Sequence, residues 1–275
     1  MTKRWLITGV SSGFGLELAK AALARGDLVA GTVRKAEQVA AFEALAPGRV
    51  CCVVLDVTEA MAIKPAVEAA IEKLGGITVL VNNAGYGQFG AVEELTDSEI
   101  RDCVEVNFFG TMNVVRAALP SMRKTGGHIL NISSYAGMCG IPGVGIYNAA
   151  KFAVEGLSEA LAQELAPFNI RVTIVEPGGF RTKFAQGSQR FAANPMPEYA
   201  ETPAGQIPKM MGQYAGYEPG DPVKAMNSLL QIVDAPAPPL RYVLGADAIK
   251  MVTGKLEQVN VDIEAWRGLS EATAF

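Results

Sequence analysis

Thr8-Gly9-Val10-Ser11-Ser12-Gly13-Phe14-Gly15 lies between a short apolar run, residues 5–8, and a helical pattern, residues 14–24. Glycines at 9, 13 and 15 let a backbone turn tightly and come close to a ligand. The helix that follows offers its unpaired amides and the positive end of its dipole to an anion. A glycine-rich turn alone is an ordinary loop. After a strand and before a helix it is the opening of a nucleotide-binding unit. Its spacing, Gly-x-x-x-Gly-x-Gly, differs from the Gly-x-Gly-x-x-Gly of the common dinucleotide fingerprint.

Outward from this turn the chain alternates. Apolar strands are expected at 5–8, 28–33, 50–55 and 78–81, with helices at 14–24, 35–45 and 59–74 between and after them. Thr96-Asp97-Ser98-Glu99 fits a capping box and opens a long helical stretch through Asn107 to Lys124, one helix or two joined end to end. A fifth strand at 128–132, a helix at 149–165 and a sixth strand at 170–175 follow, then a helix at 222–233 and a short strand at 241–244. The last thirty residues read as helix and tail. Continuous apolar strands separated by amphipathic helices imply an α/β fold, a doubly wound parallel sheet with helices on both faces. No internal repeat or linker divides it, so residues 1–275 are read as one domain. Residues 184–222 are rich in Gly, Pro, Met, Gln and Tyr and are read as a substrate loop or lid.

Composition narrows the function. The 275 residues are 49% hydrophobic, enough for a large core and too apolar for a disordered chain. Lys and Arg number 24 against 28 Asp and Glu, and they are scattered, so no basic face exists for nucleic acid. No apolar stretch approaches the roughly 20 residues of a membrane helix, and the apolar start is too short for a signal peptide. A cytoplasmic protein is expected. Cys51, Cys52, Cys103 and Cys139 lack metal-site spacing and read as core thiols, and His128, the only histidine, has no partner for a metal or a triad.

Further stretches stand in a telling order: Asn82-Asn83-Ala84-Gly85 after strand four, Asn107 in the long helix, Ile132-Ser133-Ser134 after strand five, Tyr147-Asn-Ala-Ala-Lys151 opening a helix, and Pro177-Gly178 after strand six. With the glycine turn, residues 3 to 250 resemble the classical short-chain dehydrogenase/reductase (SDR) family. The Thr-Val-Arg34 ending of strand two and the Glu-Pro-Gly-Gly-Phe-Arg-Thr182 stretch are similar to its hydroxysteroid- and retinol-type branch. The resemblance implies a Rossmann-type domain whose cofactor part covers about 1–150 and whose catalytic and substrate part covers about 107–275.

By position, the resemblance places Gly9, Ser11, Ser12, Gly13, Phe14 and Gly15 around the cofactor phosphates and adenosine ribose. It places Asp56 and Val57 at the adenine, Asn83, Ala84 and Gly85 under the adenosine side, and Pro177, Gly178, Phe180 and Thr182 at the nicotinamide. Asp56 also fits a plain helix cap. An NAD enzyme usually ends strand two with an acid that holds the ribose 2′-hydroxyl. Here Val33 stands at that position, and Arg34 follows, able to pair with a 2′-phosphate. NADP(H) is therefore expected over NAD(H).

Tyr147 and Lys151 are one helical turn apart on one face. A tyrosine of ordinary pKa near 10 stays protonated at neutral pH, and an adjacent ammonium would lower that value and suit it to acid–base chemistry. The resemblance implies that Tyr147 exchanges a proton with the substrate oxygen and that Lys151 also binds the nicotinamide ribose. By the same resemblance Ser134, thirteen residues before Tyr147, is expected to hold that oxygen. The resemblance also implies that Asn107 completes the tetrad by ordering a proton-relay water. The expected activity is hydride transfer between NADP(H) and a secondary alcohol or ketone, with a small-molecule substrate that is bulky and apolar. A non-catalytic NADP(H)-binding redox sensor is the alternative, but a sensor does not need Tyr147. An epimerase of the extended branch would carry another glycine spacing and a larger carboxy-terminal domain. The family also implies a homodimer or homotetramer, built on the helices of Asn107 and Tyr147, where Ala149, Ala150, Ala153, Gly156 and Ala160 permit close contact. No metal is called for.

Overall fold

The strands of the central sheet are apolar on both sides because both sides are covered. In this computed structural model, which describes residues 2–182, 187–213 and 216–275, seven parallel strands run in the order β3-β2-β1-β4-β6-β7-β9. They are β1 (Arg4–Ile7), β2 (Leu28–Val33), β3 (Val50–Val54), β4 (Val79–Asn82), β6 (Gly127–Ile132), β7 (Ile170–Pro177) and β9 (Arg241–Leu244). Alternation sorts their side chains. Trp5, Ile7, Val29, Val79, Val81 and Leu130 face a layer built with helices α1 (Gly13–Ala24) and α8 (Pro222–Asp234). Leu6, Ala30, Leu80 and Ile129 face a second layer built with α3 (Ala60–Leu74), α5 (Gly110–Thr125) and α6 (Gly145–Leu165). Each of the Val, Leu and Ile side chains among them, fully buried, contributes on the order of 1.5–3 kcal/mol. This is a single-domain Rossmann-type α/β fold.

Strand order reverses between β1 and β4: β2 and β3 extend the sheet one way, β6, β7 and β9 the other. Such a reversal leaves a crevice at the carboxyl ends of the strands, where ligands of open α/β sheets bind. The loops after β1 and β4 form its two lips.

Several elements differ from the sequence expectation. The helix expected at 35–45 is a 3-10 turn, Ala36–Gln38, followed by the five-residue α2 (Val39–Glu43). The helix expected from 149 begins at Gly145, which places Tyr147 in the first turn of α6. The long helix is α4 (Asp97–Val104), a π turn at Glu105–Phe109, and α5. Its predicted capping box is present: Glu99 N–H donates to Thr96 Oγ1 (3.2 Å), and Thr96 N–H to Glu99 Oε2 (2.8 Å). The stretch 184–222 is not irregular throughout. It contains β8 (Gln189–Phe191), paired parallel to β5 (Gly87–Phe89), and α7 (Pro203–Gln213). Phe184, Ala185, Gln186, Tyr214 and Ala215 of that stretch lie outside the described residues. The chain ends in α9 (Ala246–Glu271). Among the described residues no helix is long and apolar enough to cross a membrane.

His128 is buried in β6, and its Nε2 lies 2.9 Å from Thr173 Oγ1. The Thr173 hydroxyl donates its one proton to the Pro239 carbonyl (2.6 Å), so Nε2 carries the proton of the neutral imidazole. Burial first, then the charges of Arg171 and Lys3, push the imidazole from 6.5 down to about 4. Its contribution to stability is thus present above pH 6.5 and lost as pH falls from there through about 4. His128→Gln should flatten the fall in unfolding free energy over that range by up to ~3 kcal/mol. Chemical denaturation at several pH values measures this, and an equally steep fall in the variant would contradict it.

Candidate active site

The first lip of the crevice is the glycine turn. Gly9 (φ +72°) and Gly13 (φ +59°) adopt left-handed backbone that side chains resist. A Cβ on Gly15 would fall 2.4 Å from the Gly9 carbonyl oxygen, so the third glycine is required by close approach. The second lip is stapled to the first. Asn83 Nδ2 donates to the carbonyls of Thr8 (2.9 Å) and Gly9 (3.0 Å), and the backbone amides of Asn83 and Ala84 donate to Thr8 Oγ1 (3.0 and 3.1 Å). Asn83, expected only beneath a nucleoside, has its side-chain amide committed to holding the turn. Ser12 caps α1 without a side-chain hydrogen bond, so its first-turn amides open onto the crevice.

A cavity of about 710 Å³ runs from these lips across the strand ends, a size typical of ligand pockets. It is lined by Gly9, Ser11, Ser12, Gly13, Phe14, Arg34, Asp56, Val57, Asn83, Ala84 and Gly85, and further along by Asn107, Ser134, Tyr147, Lys151, Pro177, Gly178, Phe180 and Thr182. Of the residues singled out in the sequence, Gly15 alone is not on the wall; it lies buried beneath the turn. Arg34 is exposed at the end of β2 and forms no ion pair among the described residues. Asp56 does cap a turn: its Oδ1 accepts from Thr58 N–H (3.0 Å) and Oγ1 (2.8 Å), while the residue still lines the cavity. The loop after β7 closes on the turn, with the Phe14 and Phe180 rings edge-to-face at 5.2 Å.

Ser134, Tyr147, Lys151 and Asn107 meet in the middle of the cavity. Ser134 opens a 3-10 turn (Tyr135–Gly137), accepts from Ala136 N–H (3.2 Å) and donates to the Pro177 carbonyl (3.5 Å). Lys151 Nζ lies 5.6 Å from the centroid of the Tyr147 ring and donates to the Ile132 carbonyl (2.9 Å). Burial pushes the Tyr147 phenol well above its usual value, against the pull of the nearby Ser134 hydroxyl, and brings Lys151 down to about 8. Burial outweighs here the lowering of the tyrosine that the Tyr–Lys spacing suggests. Asn107 is fully buried on the π turn, where a side chain can enter the helical ladder. Its Nδ2 donates to the carbonyls of Cys103 (2.9 Å) and Tyr86 (3.0 Å), and its Oδ1 accepts from Tyr86 N–H (3.3 Å). A Cβ on Gly85 would sit 2.6 Å from Asn107 Oδ1 and 3.7 Å from Lys151 Nζ, so both groups flank this glycine.

Sequence reasoning missed the groups that hold this arrangement. Asn82 Nδ2 donates to Asn131 Oδ1, and Asn131 Nδ2 to Ser158 Oγ, both at 2.8 Å, tying β4 and β6 to α6. One turn beyond Lys151, Glu155 shares Arg241 with Glu176 and Glu159, which ties α6 to β7 and β9. Burial raises the Glu155 and Glu176 carboxyls, and Arg241 opposes it. Asp247, in the first turn of α9, accepts from Gly179 N–H (2.7 Å) and lines the cavity. Tyr86 and Arg190 also line it, the guanidinium 4.2 Å from the ring centroid. No spacing rule marks these residues, because they come together only through the sheet.

All four cysteines are free thiols raised by burial, Cys52 and Cys103 to about 11. Among the described residues no cluster of His, Cys, Asp and Glu has the makings of a metal site.

Comparison with known proteins identifies the family. Residues 3–192 match the family described as short chain dehydrogenase. An oxidoreductase of Botryotinia fuckeliana, BOA17, is 40% identical over 276 residues, covering 100% of both chains. The crystal structure of a short-chain dehydrogenase from Streptomyces avermitilis is 42% identical, with a TM-score of 0.92 over 100% of this chain and 99% of that one. An alcohol dehydrogenase from Thermococcus sibiricus, solved with 5-hydroxy-NADP, is 25% identical with a TM-score of 0.73, covering 89% of this chain and 96% of that one. The chain belongs to the short-chain dehydrogenase family of oxidoreductases.

Proposed function

We propose that the protein is an NADP(H)-dependent carbonyl reductase or alcohol dehydrogenase acting on a secondary alcohol or ketone. The observation that carries this reading is the convergence of Ser134, Tyr147 and Lys151 on the same cavity as the glycine cradle, with the Lys151 ammonium 5.6 Å from the centre of the Tyr147 ring. The cradle fits a dinucleotide: left-handed glycines, uncapped α1 amides and an unpaired Arg34 stand where a pyrophosphate and a 2′-phosphate are to be held. Gly9 through Gly15 would hold the phosphates, Asp56 and Val57 the adenine, Lys151 the nicotinamide ribose, and Pro177, Gly178, Phe180 and Thr182 the nicotinamide. NADPH, when bound, supplies the hydride. Ser134 and Tyr147 hold the substrate oxygen, and the protonated Tyr147 phenol gives it a proton in reduction and takes it back in oxidation.

Tyr86, Phe89, Ile141, Val144, Met210 and Tyr217 give the far end of the cavity apolar walls, which support a bulky apolar substrate. Residues 184–222 act as its lid, with Met210 and Tyr217 on the wall. Asn107 orders the proton-relay water beside Lys151. The protein works in the cytoplasm as one domain, and assembles as a homodimer or homotetramer through the α6 face on which Ala149, Phe152, Gly156 and Ala160 are exposed.

NADPH consumption against ketones, aldehydes, quinones and steroids tests the reading. Tyr147→Phe should keep NADPH binding and lose turnover by about 10²–10⁴-fold. Near-wild-type turnover in the variant would remove the proton-transfer role, and NADPH binding without turnover on any substrate would favour a sensor instead. Arg34→Ala should weaken NADPH about 10–100-fold, the worth of a charge-assisted hydrogen bond, and leave NADH nearly unchanged. Equal losses for the two would contradict the 2′-phosphate assignment.

A further inference from the structure

Helix α9 touches the body only at its root. Ala248 and Val252 are buried, and Cys139 Sγ approaches the Met251 carbonyl at 3.4 Å. From Thr253 to the end of the chain every residue is exposed. The helical part of that segment, 253–271, projects ~28 Å. It carries Gly254 and Gly268, each costing a helix about 1 kcal/mol relative to alanine. An isolated helix of this length is marginal in water, and its stability normally comes from an apolar face packed on something.

That face exists. Ile249, Leu256, Val259, Ile263 and Trp266 run in line with Val252, itself buried against the body, at successive spacings of three, four, three, four and three residues from Ile249 through Val252 to Trp266. This period of 3.5 is the seam with which one helix meets another. Leu256, Ile263 and Trp266 are each more than half exposed. The polar remainder of α9 carries five acids (Asp247, Glu257, Asp262, Glu264, Glu271) against three bases (Lys250, Lys255, Arg267), so an anionic lipid surface would repel it.

We propose that α9 is an assembly arm that pairs antiparallel with α9 of a second copy of this chain. In a twofold antiparallel pair closing near residues 257–258, Leu256 meets the partner's Val259, and Ile249 meets the partner's Trp266. Lys255, beside the seam, faces the partner's Asp262, and the twofold axis makes that ion pair twice. A parallel pair would set Lys255 against the partner's Asn260 and stack Trp266 on the partner's Trp266. The charges select the antiparallel arrangement: Lys255 has no ion pair among the described residues, whereas Arg267 is already held by Glu264 and Glu271. This interface lies apart from the α6 face and adds to any contact made there.

Sedimentation equilibrium and light scattering on the full chain test the arm. Leu256→Glu combined with Ile263→Glu should halve the particle mass, whether from four chains to two or from two to one. Both side chains are exposed, so the thermal transition of the body should persist. Lys255→Glu alone and Asp262→Lys alone should each weaken association about tenfold at low salt, and the two together should restore it, because the reversed pair faces itself across the axis. A wild-type particle of one chain, or an unchanged mass in the Leu256/Ile263 variant, would overturn the proposal and leave the seam to a different protein. Failure of the double reversal to restore association would overturn the antiparallel pairing.

Discussion

Two loops on a parallel sheet, those after β1 and β4, are held together by one threonine and one asparagine. Because the sheet grows outward in both directions from β1 and β4, a crevice opens between these strands at their carboxyl ends. Thr8 Oγ1 accepts two backbone amides from the β4 loop, and Asn83 returns two hydrogen bonds to the β1 turn. The gap is thereby fixed in width. The glycine conformations, the direction of α1 and the placement of Gly85 between Asn107 and Lys151 all follow from it.

The end of the cavity at Tyr147 is held by a different device. Tyr147 and Lys151 sit on the first turns of α6, and the helix is anchored through buried polar groups rather than through apolar contact alone. The Asn82–Asn131–Ser158 chain fixes it to β4 and β6, and Arg241 with Glu155 and Glu176 fixes it to β7 and β9. Removing one member of such a cluster leaves a buried charge or amide unpaired, which costs more than the bond itself. Orientation at the tyrosine is thus secured from behind. The low position of Lys151 is the electrostatic consequence of the same burial.

Much of this was legible in the chain. The strand–turn–helix at Thr8–Gly15, the capping box at Thr96 and the rhythm of apolar strands are local patterns, and local patterns survive folding. Ser134, Tyr147 and Lys151 were legible because their separations along the chain place them on one strand end and one helix. Asp247, Arg241 and the Asn131–Ser158 pair were not, since their partners lie tens of residues away and no periodicity links them. The π turn at Asn107 was hidden because a helix with one extra residue in a turn has nearly the periodicity of an ordinary one. The β5–β8 pair escaped notice because three-residue strands carry too few alternations to register. The seam of α9 was present in the spacing of its apolar residues, but only the exposure of the helix gives that spacing meaning.

We propose the crevice at the β1–β4 reversal as a dinucleotide site whose phosphate end favours NADP(H). Calorimetric titration of NADPH and of NADH into the wild-type chain tests it most directly. One saturable site per chain is expected, with NADPH the tighter ligand and its advantage shrinking as salt screens Arg34. No binding of either nucleotide, or tighter binding of NADH, would contradict it.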